Sequence, residues 1–151
     1  MTGDETGLLS PQPEGIPVPR PSRVSQPYWD AARRGELVFQ RCGACGVTPP
    51  RPVAVCGACG GRDVVWERSS GLGTLYSWTV VWRPQHPSFR IPYAPAVMAV
   101  QEGWWLLTSV VGCTAESLKE GMGLEVVFHP AGADIWLPYA QPAATDPGKL
   151  A

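Results

Sequence analysis

The chain is constrained most by a short sequence that occurs twice. Cys42-Gly43-Ala44-Cys45-Gly46 returns as Cys56-Gly57-Ala58-Cys59-Gly60, with ten residues between Cys45 and Cys56, so four of the five cysteines lie in two C-x-x-C pairs. The glycine after each pair permits a tight turn that aims both sulfurs at one point and lets amide N–H groups approach them. Two such knuckles face to face build a tetrahedral cage of four thiolates. Residues 47–55 are expected to form a short hairpin between the knuckles, turned by Thr48-Pro49-Pro50-Arg51-Pro52 and returned by Val53, Ala54 and Val55. This is the pattern of a zinc ribbon, with Cys42, Cys45, Cys56 and Cys59 as ligands of a Zn²⁺ ion. Iron in the same cage is chemically allowed and is the lesser alternative. Two disulfides fit less well, because C-x-x-C pairs at this spacing are a metal signature and no secretory segment is expected at the start of the chain. Four thiolates leave no coordination position for substrate or water, so the metal is expected to be structural and the function to lie elsewhere.

The rest of the composition narrows the classes. With 44% hydrophobic residues in 151, the chain can bury a core, while 17 glycines and 17 prolines indicate many turns and short strands. A net charge of −1 supplies no global field to recruit nucleic acid or an anionic membrane. The charge is uneven, however: ten arginines stand against four acids in residues 20–90, and two lysines against six acids beyond them. No apolar run approaches the ~20 residues of a membrane helix. The first fifteen residues carry Asp4, Glu5 and Glu14 and read as neither signal peptide nor lipid anchor, so the cytoplasm is the expected location.

In chain order, residues 1–24 hold Pro11, Pro13, Pro17, Pro19 and Pro21 among polar residues and are expected to be a mobile arm. Ser25 reads as an N-cap and Pro27 as a helix start, predicting a helix over 26–34 that Gly35 stops. A strand over 36–40 then enters the first knuckle, and 63–67 closes the ribbon, giving a helix-and-ribbon domain over 25–68. Beyond a turn at 69–73 the period changes to two, with Leu75, Ser77, Thr79 and Val81 alternating with Thr74, Tyr76, Trp78 and Val80. A long loop over 83–92 follows. Strands are expected over 94–101 and 104–111 around the turn at Glu102-Gly103, then a short helix over 115–120, then strands over 123–129 and 134–139. Five strands with a helix between the third and fourth are the order of an OB-fold barrel, placed at 69–140, with a mobile tail over 141–151. The fold class is therefore mostly β: a short N-terminal helix, a rubredoxin-like zinc ribbon and a five-stranded OB-fold barrel.

Several stretches resemble a known family. They are Pro27-Tyr28-Trp29-Asp30 leading through Glu36-Leu37 to Gln40-Arg41-Cys42, Gly71-Leu72-Gly73-Thr74-Leu75-Tyr76-Ser77-Trp78-Thr79-Val80, Ala94-Pro95-Ala96-Val97-Met98-Ala99-Val100 and Gly121-Met122-Gly123-Leu124-Glu125-Val126-Val127-Phe128. Together, over about residues 25–140, they are similar to the zinc-ribbon OB-fold family catalogued as domain of unknown function thirty-five. The resemblance implies a non-catalytic partner of thiolase-superfamily enzymes: a lipid-transfer-type aldolase, as in steroid side-chain breakdown, or an acyltransferase. It also implies that acyl-CoA is held or channelled jointly with that partner. The four cysteines carry over as metal ligands, and no catalytic motif carries over.

Candidate contact residues come from two places. Tyr28 and Trp29 form an aromatic pair too large for a ribbon to bury alone. On the long loop, Arg83, His86 and Arg90 offer partners for phosphates, with Trp82 and Phe89 available for stacking. Trp104 and Trp105 must face opposite sides of their strand, so one of them is expected to meet the ribbon, another chain or solvent. Cys113 has no histidine near it in sequence and is read as a buried structural thiol; His86 and His129 lack metal or triad spacing. Single-stranded nucleic-acid binding is the competing class, since OB-folds and ribbons both serve it, but the strands from 91 to 139 carry almost no Lys or Arg.

Overall fold

The computed structural model describes residues 7–144. The first six residues of the expected arm and the part of the expected tail from Thr145 onward lie outside them.

Helix α1 (Gln26–Arg33) begins with Pro27 in its first turn, where a missing N–H costs nothing. Ser25 sits at the N-cap but makes no side-chain cap bond to the helix. Its hydroxyl instead accepts from the Ser22 amide at 2.9 Å. The C-terminus closes as a Schellman motif: Glu36 N–H donates to Ala31 O and Gly35 N–H to Ala32 O, with Gly35 at φ +75°. Ala31 and Ala32 are buried, and these small side chains let the helix lie close to the body.

Strands β1 (Val38–Cys42) and β2 (Val64–Arg68) form the antiparallel ribbon sheet, within two residues of the expected bounds. The hairpin expected over 47–55 does not form. Two adjacent prolines and a third at position 52 withhold the N–H groups a ladder needs. The segment is held instead by Gln40, whose side-chain amide donates to Val53 O and accepts from Val53 N–H.

The second body is a closed barrel of β3 (Leu72–Trp78), β4 (Ala94–Val100), β5 (Trp105–Val110), β6 (Gly123–Pro130) and β7 (Trp136–Pro142), in the order β3-β4-β5-β7-β6. Its interior follows the period of two: Ala94, Ala96, Met98 and Val100 from β4 meet Leu75, Leu106, Val110 and Leu124. Gly73 is required here, because a Cβ would run into the carbonyl of Ala99 on the paired strand. The expected long first strand is interrupted by a register shift between Leu75 and Ser77 and ends at Trp78; beyond it a Thr79 N–H bond to Pro95 O and a bridge between Val81 and Tyr93 continue the contact. A single 3-10 turn (Ala115–Ser117) replaces the expected helix. Closure is weakest between β5 and β7, which meet in parallel at the single pair Val110 and Ala140.

The proline-rich arm is not the free segment expected from its composition. Leu8 bridges Thr114, Leu9 exchanges backbone hydrogen bonds with Cys113 and Gly112, and Leu9 is 1% exposed within the barrel core. Gln12 pairs its side-chain amide with the backbone of Arg90 in both directions, and its own N–H donates to the Tyr139 hydroxyl at 3.0 Å. Two leucines and Ile16, which is also buried, supply apolar surface that the average of the segment conceals. At the other end, the expected tail starts later than 141, since β7 runs to Pro142 and Ala143 N–H donates to Gly123 O.

The two bodies are joined at Ser69 and Ser70. Glu102, in the β4–β5 turn, accepts from the Ser69 hydroxyl at 2.8 Å and from the Ser70 amide. Partial burial works to raise its pKa, but the Ser70 and Ser69 hydrogen bonds outweigh it and hold the carboxyl below its ordinary value.

Two outcomes follow. Leu9→Ala is expected to cost about 2–5 kcal/mol in urea unfolding, as for a buried core leucine, whereas a mobile arm would cost nothing. Glu102→Gln is expected to be destabilising at pH 7 by no more than about 1 kcal/mol, since water screens a carboxylate that is only partly buried. Because the folded pKa is depressed, that difference should persist above the ordinary carboxyl range and vanish as the pH falls through the folded pKa.

Candidate functional site

The repeated pentapeptide folds into repeated geometry. Gly46 N–H donates to Cys42 O and Gly60 N–H to Cys56 O, both glycines standing near φ +75°, while Cys42 N–H reaches Val47 O and Cys56 N–H reaches Gly61 O. Gly43 admits no side chain, since a Cβ would meet the Asp63 carboxylate. The two knuckles bring the four sulfurs within 4.8 Å of one another, with Cys42–Cys59 and Cys45–Cys56 each at 3.7 Å. A tetrahedral ion with bonds of ~2.3 Å sets its sulfurs ~3.8 Å apart, whereas a disulfide needs ~2.05 Å, so the spacing fits a metal cage and not two disulfides.

Two of the four thiols, Cys56 and Cys45, are shifted in opposite directions. Backbone hydrogen bonds from Cys59 and Ala58 draw the Cys56 thiol down to about 7. Cys45, although the backbone bond at Val47 lowers it, is pushed up to about 12 by Cys59 and its other neighbours. A divalent ion resolves this by favouring four thiolates at once. Among the described residues this is the one group of three or more metal-ligating side chains whose ligand atoms converge.

The ribbon packs on the barrel through Phe39 of β1, whose ring stacks on Trp104 at 5.4 Å and 22°. Arg41 lies over the Phe39 ring at 5.2 Å and pairs with Glu67 at 3.0 Å. Beside the contact runs a groove of about 380 Å³, walled by Tyr28, Trp29, Trp66, Trp104 and Trp105 and by Pro49 to Pro52. Burial drives the Tyr28 hydroxyl far above its ordinary pKa. Among the described residues, the buried Trp104 Nε1–H has no hydrogen-bond partner. A second hollow, lined by Phe89, Tyr93 and Tyr139, shares Tyr28, Trp29 and Leu107 with the first.

The predicted contact residues separate accordingly. Tyr28 and Trp29 border both hollows and Phe89 the second; Trp82, Arg83, His86 and Arg90 line neither. His86 hydrogen-bonds Ser88 within its own loop, and Trp82 is exposed. Cys113 is half-buried rather than fully enclosed. The strand alternation does separate Trp104 from Trp105: the former meets the ribbon, and the latter is 62% exposed, stacked on Tyr76 at 4.9 Å. Sequence reasoning missed Trp66, the proline wall and the outward Leu107, 76% exposed. The signal for Leu107 was its position two residues after Trp105 on one face of a strand.

Comparison with known proteins agrees with this architecture. Residues 29–65 match the family model described as ChsH2, rubredoxin-like zinc ribbon domain, and residues 66–129 match ChsH2, C-terminal OB-fold domain. A DUF35 domain-containing scaffold protein of Pyrococcus furiosus is 33% identical over 113 residues, which are 72% of this chain and 79% of the relative. The chain belongs to the ChsH2/DUF35 zinc-ribbon OB-fold family. A solved structure titled Ltp2-ChsH2(DUF35) aldolase contains a chain with 32% identity and a TM-score of 0.77, covering 84% of this chain and 100% of that one. A probable enoyl-CoA hydratase alpha subunit of Thermomonospora curvata is 33% identical over 84% of this chain. The 3-oxo-4,17-pregnadiene-20-carboxyl-CoA hydratase alpha subunit of Mycobacterium tuberculosis is 26% identical over 77% of it. This chain spans 40% and 37% of the lengths of those two hydratase subunits.

The DUF35 cysteines form a metal-binding ribbon site. The purified protein is expected to contain about one zinc per chain by elemental analysis. Cys45→Ser is expected to lose that metal and the ribbon's amide protection while the barrel amides stay protected; retained metal would contradict the four-thiolate cage.

Proposed function

We propose that this chain is a non-catalytic subunit that binds a thiolase-superfamily enzyme and helps it hold acyl-CoA. The observation that carries the reading is the likeness, over the whole of that chain, to the DUF35 component of an Ltp2-ChsH2 aldolase. The chemistry of the described residues supports it. The sulfurs that converge are those of a closed cage, and His86 and His129 are engaged with Ser88 and Tyr139 within their own surroundings. Exposed Trp105, Leu107 and Tyr76 form an apolar surface of the kind a partner covers.

In this reading the partner is a lipid-transfer-type aldolase, with an acyltransferase as the related alternative, and the thiolase-like subunit performs the bond cleavage. The steroid-CoA name of the mycobacterial relative favours a steroid side-chain thioester as substrate. The exposed loop carrying Trp82, Arg83 and His86, with Phe89 and Arg90 following, is the proposed contact for the CoA phosphates and adenine. The cytoplasm, where thiols stay reduced, is the proposed location.

The test is co-expression with a lipid-transfer-type aldolase from the same genome. A stable complex should survive purification at low micromolar concentration and cleave a steroid-CoA aldol substrate, while the isolated chain shows no turnover. Turnover by the isolated chain, or failure of the two to co-purify, would overturn the reading.

A further inference from the structure

The groove beside the Phe39–Trp104 contact lies between two strands with open sides. β1 pairs with β2 on one side only. β5 pairs with β4 along its whole length, but meets β7 only at Val110. The Val111 amide donates to Ala140 O on the β7 side, and backbone groups alternate sides along a strand. Trp105 and Leu107 therefore turn their N–H and C=O groups away from β4, beyond the end of the β7 pairing. Among the described residues no strand takes them up. Exposed backbone edges of this kind are templates for an added strand.

The groove also has a charge. Arg20 and Arg51 stand on its rim, both exposed, and no carboxylate is among its lining residues. Neither arginine is in an ion pair among the described residues. A ligand suited to this site presents a backbone edge, apolar side chains and negative charge.

Building on the accessory-subunit reading, we propose that this groove receives an extended apolar segment of the partner subunit that carries an acidic residue. The segment adds as a strand along the open side of β5 between Trp105 and Leu107. Its side chains rest on Trp29, Trp105 and Leu107, and its carboxylate pairs with the rim arginines. Coenzyme A and a second copy of this chain are the competing occupants.

The test uses the full chain with the co-expressed aldolase subunit. Trp105→Ser/Leu107→Ser alters side chains that are 62% and 76% exposed, so metal content and circular dichroism should be unchanged. Affinity for the aldolase should fall about 100-fold, as expected for central apolar contacts. Arg20→Glu/Arg51→Glu should weaken binding about 10-fold at low salt, while Lys119→Ala, on an exposed turn, should leave it unchanged. In the wild-type complex, amide exchange at Trp105 and Leu107 should slow markedly, and a photo-crosslinker at position 107 should label an extended acidic segment of the aldolase. Wild-type affinity in both double variants, with the complex intact, overturns the groove assignment and leaves the accessory role standing. Failure of the wild-type pair to associate overturns both. Loss of coenzyme A binding with unchanged aldolase affinity, or conversion of a dimer of this chain to monomer, assigns the groove to the other occupants and overturns the proposal.

Discussion

The convergence of four sulfurs is the constraint on which the molecule's working surface depends. A two-stranded sheet such as β1–β2 is marginal on its own in water, and the residues between its strands contribute almost no core. Tying both knuckles to one ion fixes the end of β1 at Cys42 and so the direction of Phe39, Gln40 and Arg41 just before it. Those three residues make the stack on Trp104, the clasp on Val53 and the ion pair with Glu67. An ion held there would steady β1, and through it one wall of the groove.

The other wall belongs to the barrel, and its exposure is a consequence of how the barrel closes. Four of the five interfaces are antiparallel ladders, while β5 and β7 share a single parallel pair. That incomplete seam leaves the start of β5 accessible where the helix and ribbon come to rest. Glu102 then holds the connection between the bodies at Ser69 and Ser70, on the turn immediately before β5. The docked arm works at the opposite end of the same strand, with Leu9 closing the barrel near Cys113. The strand that presents the apolar surface is thus anchored by the turn before it and by the arm beyond it, and is open along its first half.

Metal, core and surface divide the labour in a way that suits a protein that positions rather than reacts. The cage offers four thiolates and no further ligand, the fully buried barrel interior is aliphatic, and Tyr28, Trp29, Phe39, Trp66, Trp104 and Trp105 gather at the joint. Exposed Trp and Leu on a strand surface are costly for a solitary chain in water, because they invite association. Their presence is understood if association is the purpose.

The cage was legible in the sequence because metal binding is encoded by local spacing: two C-x-x-C-G turns need little beyond their own backbone to aim their sulfurs. The barrel was legible for a similar reason, since a period of two through Ala94 to Val100 and the turn at Glu102 and Gly103 are local signals. What required the tertiary structure was everything decided by contacts distant in sequence. The arm read as mobile because its composition averages out Leu9 and Ile16, and only the barrel end that receives them shows that they are core. The residues between the knuckles read as a hairpin because the fact that Gln40 would clasp Val53 is not written in their own order. Likewise Trp29, Trp66 and Trp105 carry no mark that they will border one groove; helix, ribbon and barrel must first be packed together, because a side chain's neighbours across elements are set by packing and not by the periodicity of its own segment.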